Sequence, residues 1–313
     1  MTSVQRSFAI GAMVSLQTVY GDIGGDGGTQ SAGVQQDAWI DTVPLVVIGD
    51  DPQDPLHRVI GAVLVGDTLI VAQASSSALR FYDQRTGDFL RRVGGTGEGP
   101  GEYKKLSSLQ RVGERLYTYD VLSRRVTAWD LSGAPKGTVN IEYWAPYRIP
   151  QLVGVFADGS FLIAAKYRNY DDPARSPMFR RDVMVLGRYG TNGILVDSLG
   201  YYLGAERYVA PNERGGQTHG QSAPFGRGSL AGVIGGGYYI LDNKVAMISV
   251  FDTAGSLVRE FGPDTPLEPV RISREDRGRF SGFDDIAADG LPQFYPFYGD
   301  NVFVDGATFW IPD

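Results

Sequence analysis

The segment between Tyr167 and Arg181, which joins two predicted strands, combines positive charge with aromatic rings. It contains four arginines against two aspartates, in a chain whose formal net charge is −7. Guanidinium groups pair with anions, and they stack with aromatic rings on planar groups. This composition favours a site for a planar anionic ligand or a sugar, although a solvated charged loop with internal ion pairs has the same composition. The ligand-binding residues predicted in this segment are Tyr167, Arg168, Tyr170, Arg175, Arg180 and Arg181.

A second charged and aromatic segment, Gly204–Gly228, adds Tyr208, Arg214 and His219 to the predicted ligand-binding set. His219 stands alone among Gly and Gln residues, which is more typical of an exposed histidine than of a catalytic one. Neither it nor His57 lies in a motif that would orient an imidazole, so no Ser-His-Asp arrangement can be placed. The sequence therefore predicts binding residues and assigns no catalytic residue.

The residue types also limit the cofactors and partners. The chain has no Cys and two His, which excludes disulfides, Cys-ligated zinc and a His-rich metal site. No cofactor is predicted. The adjacent pair Asp284 and Asp285 offers oxygen ligands for Ca²⁺, although a solvent-facing turn has the same appearance. The negative net charge argues against nucleic acid as a partner, because phosphate binding needs clustered Lys and Arg.

One pattern returns along the chain: an apolar strand that ends in Asp, a short turn with Gly, and a second apolar strand. Its copies begin at Ala78, Val126 and Ile248, and a degraded copy at Val183 has Arg188 where the aspartate is expected. Asp and Gly supply the backbone conformations of a tight reversal, so each copy predicts a β-hairpin. A further strand pair with Gly or Asp at its turn precedes each hairpin.

Four antiparallel strands per repeat are typical of β-propeller blades, so the predicted fold class is all-β. Complete blades are predicted at about residues 53–94, 103–141, 150–204 and 228–262, with the start of a fifth near 294–310. Val43–Ile48 is interpreted as a lone outer strand that closes the ring. Six blades of about 40 residues would need about 60 residues more. We expect a truncated six-bladed pattern, with closure by five irregular blades as the alternative.

The most specific string in the chain is the loop Gly94–Tyr103, which is followed by a strand at Arg115–Asp120. Together with the repeat, it resembles the NHL repeat, and in particular six-bladed propeller proteins of the bacterial exported type. The resemblance covers roughly residues 40–313. It implies a fold and a compartment, secreted or periplasmic, but no particular ligand, because such propellers serve many tasks.

The N-terminal residues 1–36 are predicted to be a weak signal peptide or a disordered Gly-rich tail, and residues 37–313 the propeller domain. Phe8–Val19 is moderately apolar after a weakly positive start, but no Ala-x-Ala cleavage site follows. No run of about 18 apolar residues is present, so no transmembrane segment is predicted. We expect an exported protein, and the sequence does not determine its oligomeric state.

The order of strands in an antiparallel blade predicts which loops lie together. Loops from second to third strand and connections between blades leave on one face, here called the loop-rich face, and the tight hairpins leave on the opposite face. The long segments are all of the first two kinds: 94–103, 167–181, 204–228 and 262–292. Binding residues are usually found on loops held by a rigid scaffold, so the loop-rich face is the predicted site.

The sequence therefore predicts a non-enzymatic binding scaffold that recognises a protein, peptide or glycan on the loop-rich face. The alternative is a metal-dependent propeller hydrolase or lyase of the lactonase kind, with an oxygen-ligated divalent cation in the central channel. Asp120 and Asp242 fall at equivalent blade positions, but no such set recurs together with His to favour that alternative.

Overall fold

The computed structural model describes residues 46–49, 55–167, 178–210, 219–245, 247–262, 268–278 and 292–296. It describes only the backbone of four strands, 13–16, 35–38, 303–305 and 308–312, and of residues 178, 210 and 219–221. Nearly all regular structure in these residues is β, with one short helix at Arg274–Gly278. The predicted fold class, an all-β propeller with four-stranded antiparallel blades, is confirmed.

Four successive blades follow one another along the chain. Blade A contains β3 (Val59–Val65), β4 (Thr68–Gln73), β5 (Ala78–Asp83), β6 (Phe89–Thr96) and a short parallel β7 (Glu102–Tyr103). Blade B contains β8 (Leu106–Val112), β9 (Arg115–Asp120), β10 (Arg125–Asp130) and β11 (Pro135–Asn140). Blade C contains β12 (Arg148–Val155), β13 (Phe161–Tyr167), β14 (Met178–Tyr189), β15 (Leu195–Ala210) and β16 (His219–Ser222). Blade D contains β17 (Ser229–Ile234), β18 (Gly237–Asp242), β19 (Met247–Asp252) and β20 (Leu257–Phe261).

A fifth sheet joins the two ends of the chain. Its strand order is β2 (Gln35–Ala38), β1 (Met13–Leu16), β22 (Thr308–Pro312) and β21 (Phe303–Asp305). The C-terminal pair falls where the sequence predicts the start of a fifth blade, but its neighbours are N-terminal strands. The division into a signal peptide or tail at 1–36 and a domain at 37–313 stays a prediction.

The apolar core lies between blades rather than within any one of them. One buried cluster joins Phe81 of blade A to Leu109 and Trp129 of blade B. The next joins blade B to blade C around Tyr119, and a third joins blade C to blade D around Leu186 and Tyr238. Because each blade covers one face of the next, apolar burial stabilises the stack of blades rather than any single sheet.

The turn between the third and fourth strands of each blade rests on the blade before it. Gly193 has a φ of 79°, and a Cβ there would overlap the carbonyl oxygen of Asn140. Gly87 lies in the same way against the carbonyl of Val47. Residues 46–48 have no strand assignment, so the predicted outer strand Val43–Ile48 is not formed there, although Val47 lies where an outer strand of a preceding blade would lie. Residues 43–45 are outside the described residues.

Asp120 fixes the connections at the loop-rich end of blade B. Its carboxylate accepts backbone N–H bonds from Lys104 and Lys105 at 2.8 and 3.2 Å, and from Leu122 and Ser123 at 3.0 and 3.2 Å. Arg125 donates to the carbonyl oxygens of Glu98 and Glu102 rather than to Asp120. Backbone groups, rather than a neighbouring arginine, therefore hold the carboxylate of Asp120 in place.

Burial acts to raise the pKa of Asp120, but the backbone N–H donors, led by that of Lys104, outweigh it and hold the pKa below its usual value. Asp120 is fully buried, so hydrogen bonds from the protein, rather than from water, stabilise its charge.

Gly193→Ala is expected to destabilise the protein by about 2 kcal/mol or more, because a non-glycine residue there is strained and its Cβ meets the preceding blade. Urea unfolding followed by circular dichroism measures the change. Gly137→Ala on β11 is the matched control, since nothing lies within 4 Å of its Cβ position. Equal stability of the two variants would contradict this account of blade packing.

Asp120→Asn is expected to cost about 1–3 kcal/mol at pH 7, because a buried, charged acceptor of several hydrogen bonds is replaced by a neutral one. The pKa of Asp120 in the folded state lies below its unfolded value of about 3.9. Its stabilisation is therefore complete above about pH 5 and declines as the pH falls through the unfolded and then the folded pKa.

Urea midpoints at neutral and acid pH test this pH dependence. The difference between wild type and Asp120→Asn should narrow below about pH 4. Asp197→Asn, which changes an exposed carboxylate that accepts one backbone N–H bond, is the control. A difference that stays constant down to about pH 3 would show that the charge of Asp120 does not stabilise the fold.

Candidate functional site

Five of the nine predicted ligand-binding residues lie within the part of the chain that the structure describes. Tyr167 ends β13, Arg180 and Arg181 lie on β14, Tyr208 lies on β15, and His219 begins β16. These five therefore belong to one sheet, blade C. The other four lie outside the described residues: Arg168, Tyr170, Arg175 and Arg214. The nine residues as a ligand site stay a prediction.

Blade C extends beyond the other blades on the loop-rich side. Its third and fourth strands have 12 and 16 residues, whereas β10 and β11 of blade B have 6 each. The sequence assigns 167–181 and 204–228 to loops, but residues 178–182 and 204–210 continue the hairpin. Residues 219–222 then add a fifth strand, in which His219 lies opposite Ala210. This part of the sheet is called the blade C extension.

Arg181 attaches the blade C extension to blade D. Its Nη1 contacts both carboxylate oxygens of Asp242 at 3.0 and 2.8 Å, and its Nη2 donates to Ser229 Oγ at 3.0 Å. Nε and Nη2 also donate to the carbonyl oxygens of Gly204 and Leu203. All three guanidinium nitrogens therefore donate to groups of the protein itself. The geometry thus gives Arg181 a positioning role and does not favour it as a ligand contact.

Glu206 makes a second attachment on the same side. Its carboxylate accepts the backbone N–H of Arg227 at 3.1 Å, and its backbone N–H donates to the carbonyl of Arg227 at 2.6 Å. Farther along the blade C extension, the rings of Phe179 and Tyr208 lie opposite each other with centroids 5.2 Å apart. The predicted residue Tyr208 therefore packs on Phe179. The contacts of Arg181, of Glu206 and of this aromatic pair together hold the blade C extension in place.

On its other side, blade C carries a group of aromatic residues that the sequence analysis missed. Tyr147 is buried at the centre of this group, with its ring 4.6 Å from Trp144, 6.0 Å from Tyr167 and 6.3 Å from Tyr201. Trp144 and Tyr147 come from the connection between blades B and C, and Tyr167 comes from the end of a second strand. Both positions lie at the loop-rich face, as the strand order requires.

The outer part of this aromatic group is open to solvent. Tyr201 is 64% exposed and Leu203 is 54% exposed. They lie opposite Val185 and Val183 on β14, which pack with Tyr147 beneath the surface. Trp144, Tyr147, Tyr167, Tyr201 and Leu203 are together called the aromatic patch.

The hydroxyl groups of Tyr147 and Tyr201 form a hydrogen bond of 2.7 Å across the aromatic patch. This bond is the main reason that the pKa of Tyr147 is raised to about 12, and burial adds to it. Tyr147 is therefore protonated at neutral pH, and the bond fixes the orientation of the exposed Tyr201 ring.

Positive charge lies at the same junction of blades B and C. The guanidinium of Arg124 is 5.4 Å from the ring centroid of Tyr143, which is 53% exposed. The Nη1 of Arg124 is buried and makes no hydrogen bond within the described part of the chain. Exposed aromatic groups with a neighbouring arginine can pack on apolar groups and pair with anionic ones.

The described residues contain no group of three or more His, Cys, Asp or Glu placed to hold a metal ion. Asp284 and Asp285 lie outside them, so the calcium prediction stays untested. Among the described helices, none has the length and apolar character needed to cross a membrane.

A family model described as "DUF5128: 6-bladed beta-propeller" matches residues 55–152, which is about a third of the chain and covers blades A and B. No curated protein sequence matches the chain. The propeller fold thus has support from both the sheet arrangement and the family model, whereas the NHL type is not part of that description.

Several solved structures resemble the chain at low identity. A Bacteroides fragilis protein described as exported has 15% identity and a TM-score of 0.41 over 72% of this chain and 56% of its own. BamB from Moraxella catarrhalis has 14% identity and a TM-score of 0.32, covering 68% and 63% respectively. Virginiamycin B lyase from Staphylococcus aureus has 12% identity and a TM-score of 0.34, covering 66% and 71%. The chain thus spans less than two thirds of the first two structures, and none of these likenesses is close enough to indicate a function.

Proposed function

We propose that this chain is a non-enzymatic propeller scaffold that binds a protein or peptide at the aromatic patch on its loop-rich face. The observation that carries the proposal is the exposure of Tyr201 and Leu203 directly above a packed aromatic group. A contiguous apolar surface is costly to leave in water, and such surfaces mark sites of protein interaction.

The construction of the aromatic patch supports a binding role. Its rings pack edge to face around Tyr147, and its central hydroxyl pair is hydrogen-bonded, so little side-chain freedom remains to be lost when a partner binds. Tyrosine, tryptophan and arginine are also the side chains that contribute most at protein interfaces. Arg124 beside Tyr143 adds a positive group for a partner that carries an acidic residue near its apolar ones.

A glycan remains the second candidate ligand, because sugars also stack on tyrosine and tryptophan rings. The apolar Leu203 beside Tyr201 favours a protein or peptide, since a sugar gains little from an aliphatic contact. The experiment below includes both ligand classes.

The proposal places the protein outside the cytoplasm, as an exported, secreted or periplasmic propeller with NHL-like blades. The support is the Gly94–Tyr103 loop with its repeat, and the moderately apolar N-terminal segment. The alternative of a metal-dependent hydrolase or lyase has no ligand set among the described residues that would favour it.

The test selects peptides from a displayed random library against the purified chain and measures their affinities by fluorescence polarisation. Exchanging both exposed side chains, in Tyr201→Ser/Leu203→Ser, is expected to weaken binding by about tenfold or more, as loss of interface hot spots does. Val196→Ser is the matched control, because Val196 lies on the same strand with the same 64% exposure but outside the aromatic patch. Its affinity should stay within about twofold of wild type.

Equal binding by the double variant and wild type would overturn the aromatic patch as the site. The same proteins applied to a glycan array test the second candidate. Glycan binding that depends on Tyr201, with no peptide selected, would overturn the assignment to a protein or peptide. Thermal melting confirms that each variant is folded before its affinity is compared.

A further inference from the structure

The hairpin ends of the inner strands of blades B, C and D line an open cavity of about 350 Å³, on the side of the blades opposite the loop-rich face. It is lined by residues of β8, β12 and β17, by Tyr239 of β18, and by Ala157 and Gly235 in the tight turns after β12 and β17. The cavity therefore opens among the hairpins, on the face where the sequence predicts no site.

Glycines on the inner strands allow close packing beside this cavity. Gly154 lies so close to Val233 that a Cβ would overlap its side chain, and Gly232 lies in the same way under the Tyr239 hydroxyl. Larger residues at these positions would push the strands apart or occupy the channel. Glycine inside a strand often marks a place where another backbone or a ligand approaches closely.

The lining combines apolar walls with nearly as much polar surface, and one polar side chain makes no hydrogen bond within the described part of the chain. Val112, Val155, Val233 and the ring of Tyr239 supply apolar walls. Gln110 also lines the cavity, and its carboxamide makes no hydrogen bond to another described residue. A carboxamide offers both a donor and an acceptor, so it can pair with one polar group of a bound molecule.

The charged residue at the cavity is already committed. Arg111 donates to the carbonyl oxygens of Gly113 and Leu64 at 3.1 and 2.8 Å, and its Nη2 lies 3.9 Å from Glu114. Its Nε and Nη1 are thus directed at backbone carbonyls, and its Nη2 faces the carboxylate of Glu114. An uncharged ligand fits this lining better than an anion.

We propose that this cavity is a second binding site, for a compact, uncharged molecule that combines an apolar ring with one group that pairs with the Gln110 carboxamide. Its volume lies at the small end of the range of about 300–1,000 Å³ found for ligand sites, which suits a single aromatic ring with a short substituent. The site is independent of the aromatic patch, since the two share no residue.

The experiment uses 4-fluorobenzamide as the probe and fluorine NMR of the intact chain as the readout. Saturable broadening with a dissociation constant of about 1 mM is expected, because the probe's ~10 non-hydrogen atoms each contribute a few tenths of a kcal/mol. Ala157→Trp fills the mouth of the cavity and should weaken binding about tenfold or more. Ala254→Trp, at an exposed alanine in a tight turn of blade D, is the matched control and should leave binding within about twofold.

Gln110→Leu separates the polar contact from the apolar fit. It should weaken 4-fluorobenzamide binding about tenfold but leave binding of 4-fluorotoluene, which has no amide, within about twofold. Absence of saturable binding by the wild type, or equal binding by wild type and Ala157→Trp, would overturn the site. An equal effect of Gln110→Leu on both probes would overturn the assignment of Gln110.

Discussion

A β-sheet has two faces, and in this protein the apolar side chains on both faces of blades B and C are buried against neighbouring blades. The clusters around Phe81 and Trp129, around Tyr119, and around Leu186 and Tyr238 each include residues of two successive blades. Stability therefore depends on how closely one blade can approach the next, and glycine sets that distance at the points of closest contact. Gly193 on the outer edge and Gly154 on the inner strand both occupy positions where a side chain would collide with a neighbouring blade.

The unequal lengths of blades B and C explain the aromatic patch. The long strands β14 and β15 continue past the point where blade B ends, so no strand of blade B covers the upper part of blade C. The connection that carries Trp144 and Tyr147 covers part of this surface, and Tyr201 and Leu203 remain exposed. On the opposite side, Arg181 and Asp242 tie the same strands to blade D. One face of the blade C extension is thus fixed, and the other presents apolar side chains to solvent.

The sequence predicts the four complete blades because tight turns are local. A run such as Phe251-Asp252-Thr253-Ala254-Gly255 contains the turn residues that it needs, and the structure forms hairpins at every copy of this pattern. The blade C extension is not predictable in this way. Phe179–Arg181 follows a stretch rich in Pro and charge, and it becomes a strand only because Tyr208, Arg207 and Glu206 pair with it from a distant part of the chain.

Other features are also not predictable from the local sequence, because they depend on contacts with distant parts of the chain. Trp144 and Tyr147 lie in a connection with no periodic pattern, although three aromatic residues within Tyr143–Tyr147 are a signal that could have indicated a packed site. Val43–Ile48 has the alternation of a strand, but a strand also needs a partner, and residues 46–48 are unpaired in the structure. Asp120 illustrates the reverse case, since an aspartate before a turn is a local signal for side-chain to backbone hydrogen bonds, and four backbone N–H groups donate to it in the structure.

The two candidate sites are built by different parts of the blades, the outer strands and the inner strands, and they therefore differ in how far their residues can change. The aromatic patch depends on the outer strands and on the connection between blades, where insertions change strand length without altering the packing of the inner strands. The cavity depends on the inner strands, where Gly154 and Gly232 are constrained by contacts with Val233 and Tyr239. A change at the aromatic patch alters surface chemistry and leaves the spacing of the blades intact, whereas a change at the inner glycines alters that spacing. The aromatic patch can therefore vary in ligand without loss of the fold, while the cavity can change only within the limits that blade packing allows.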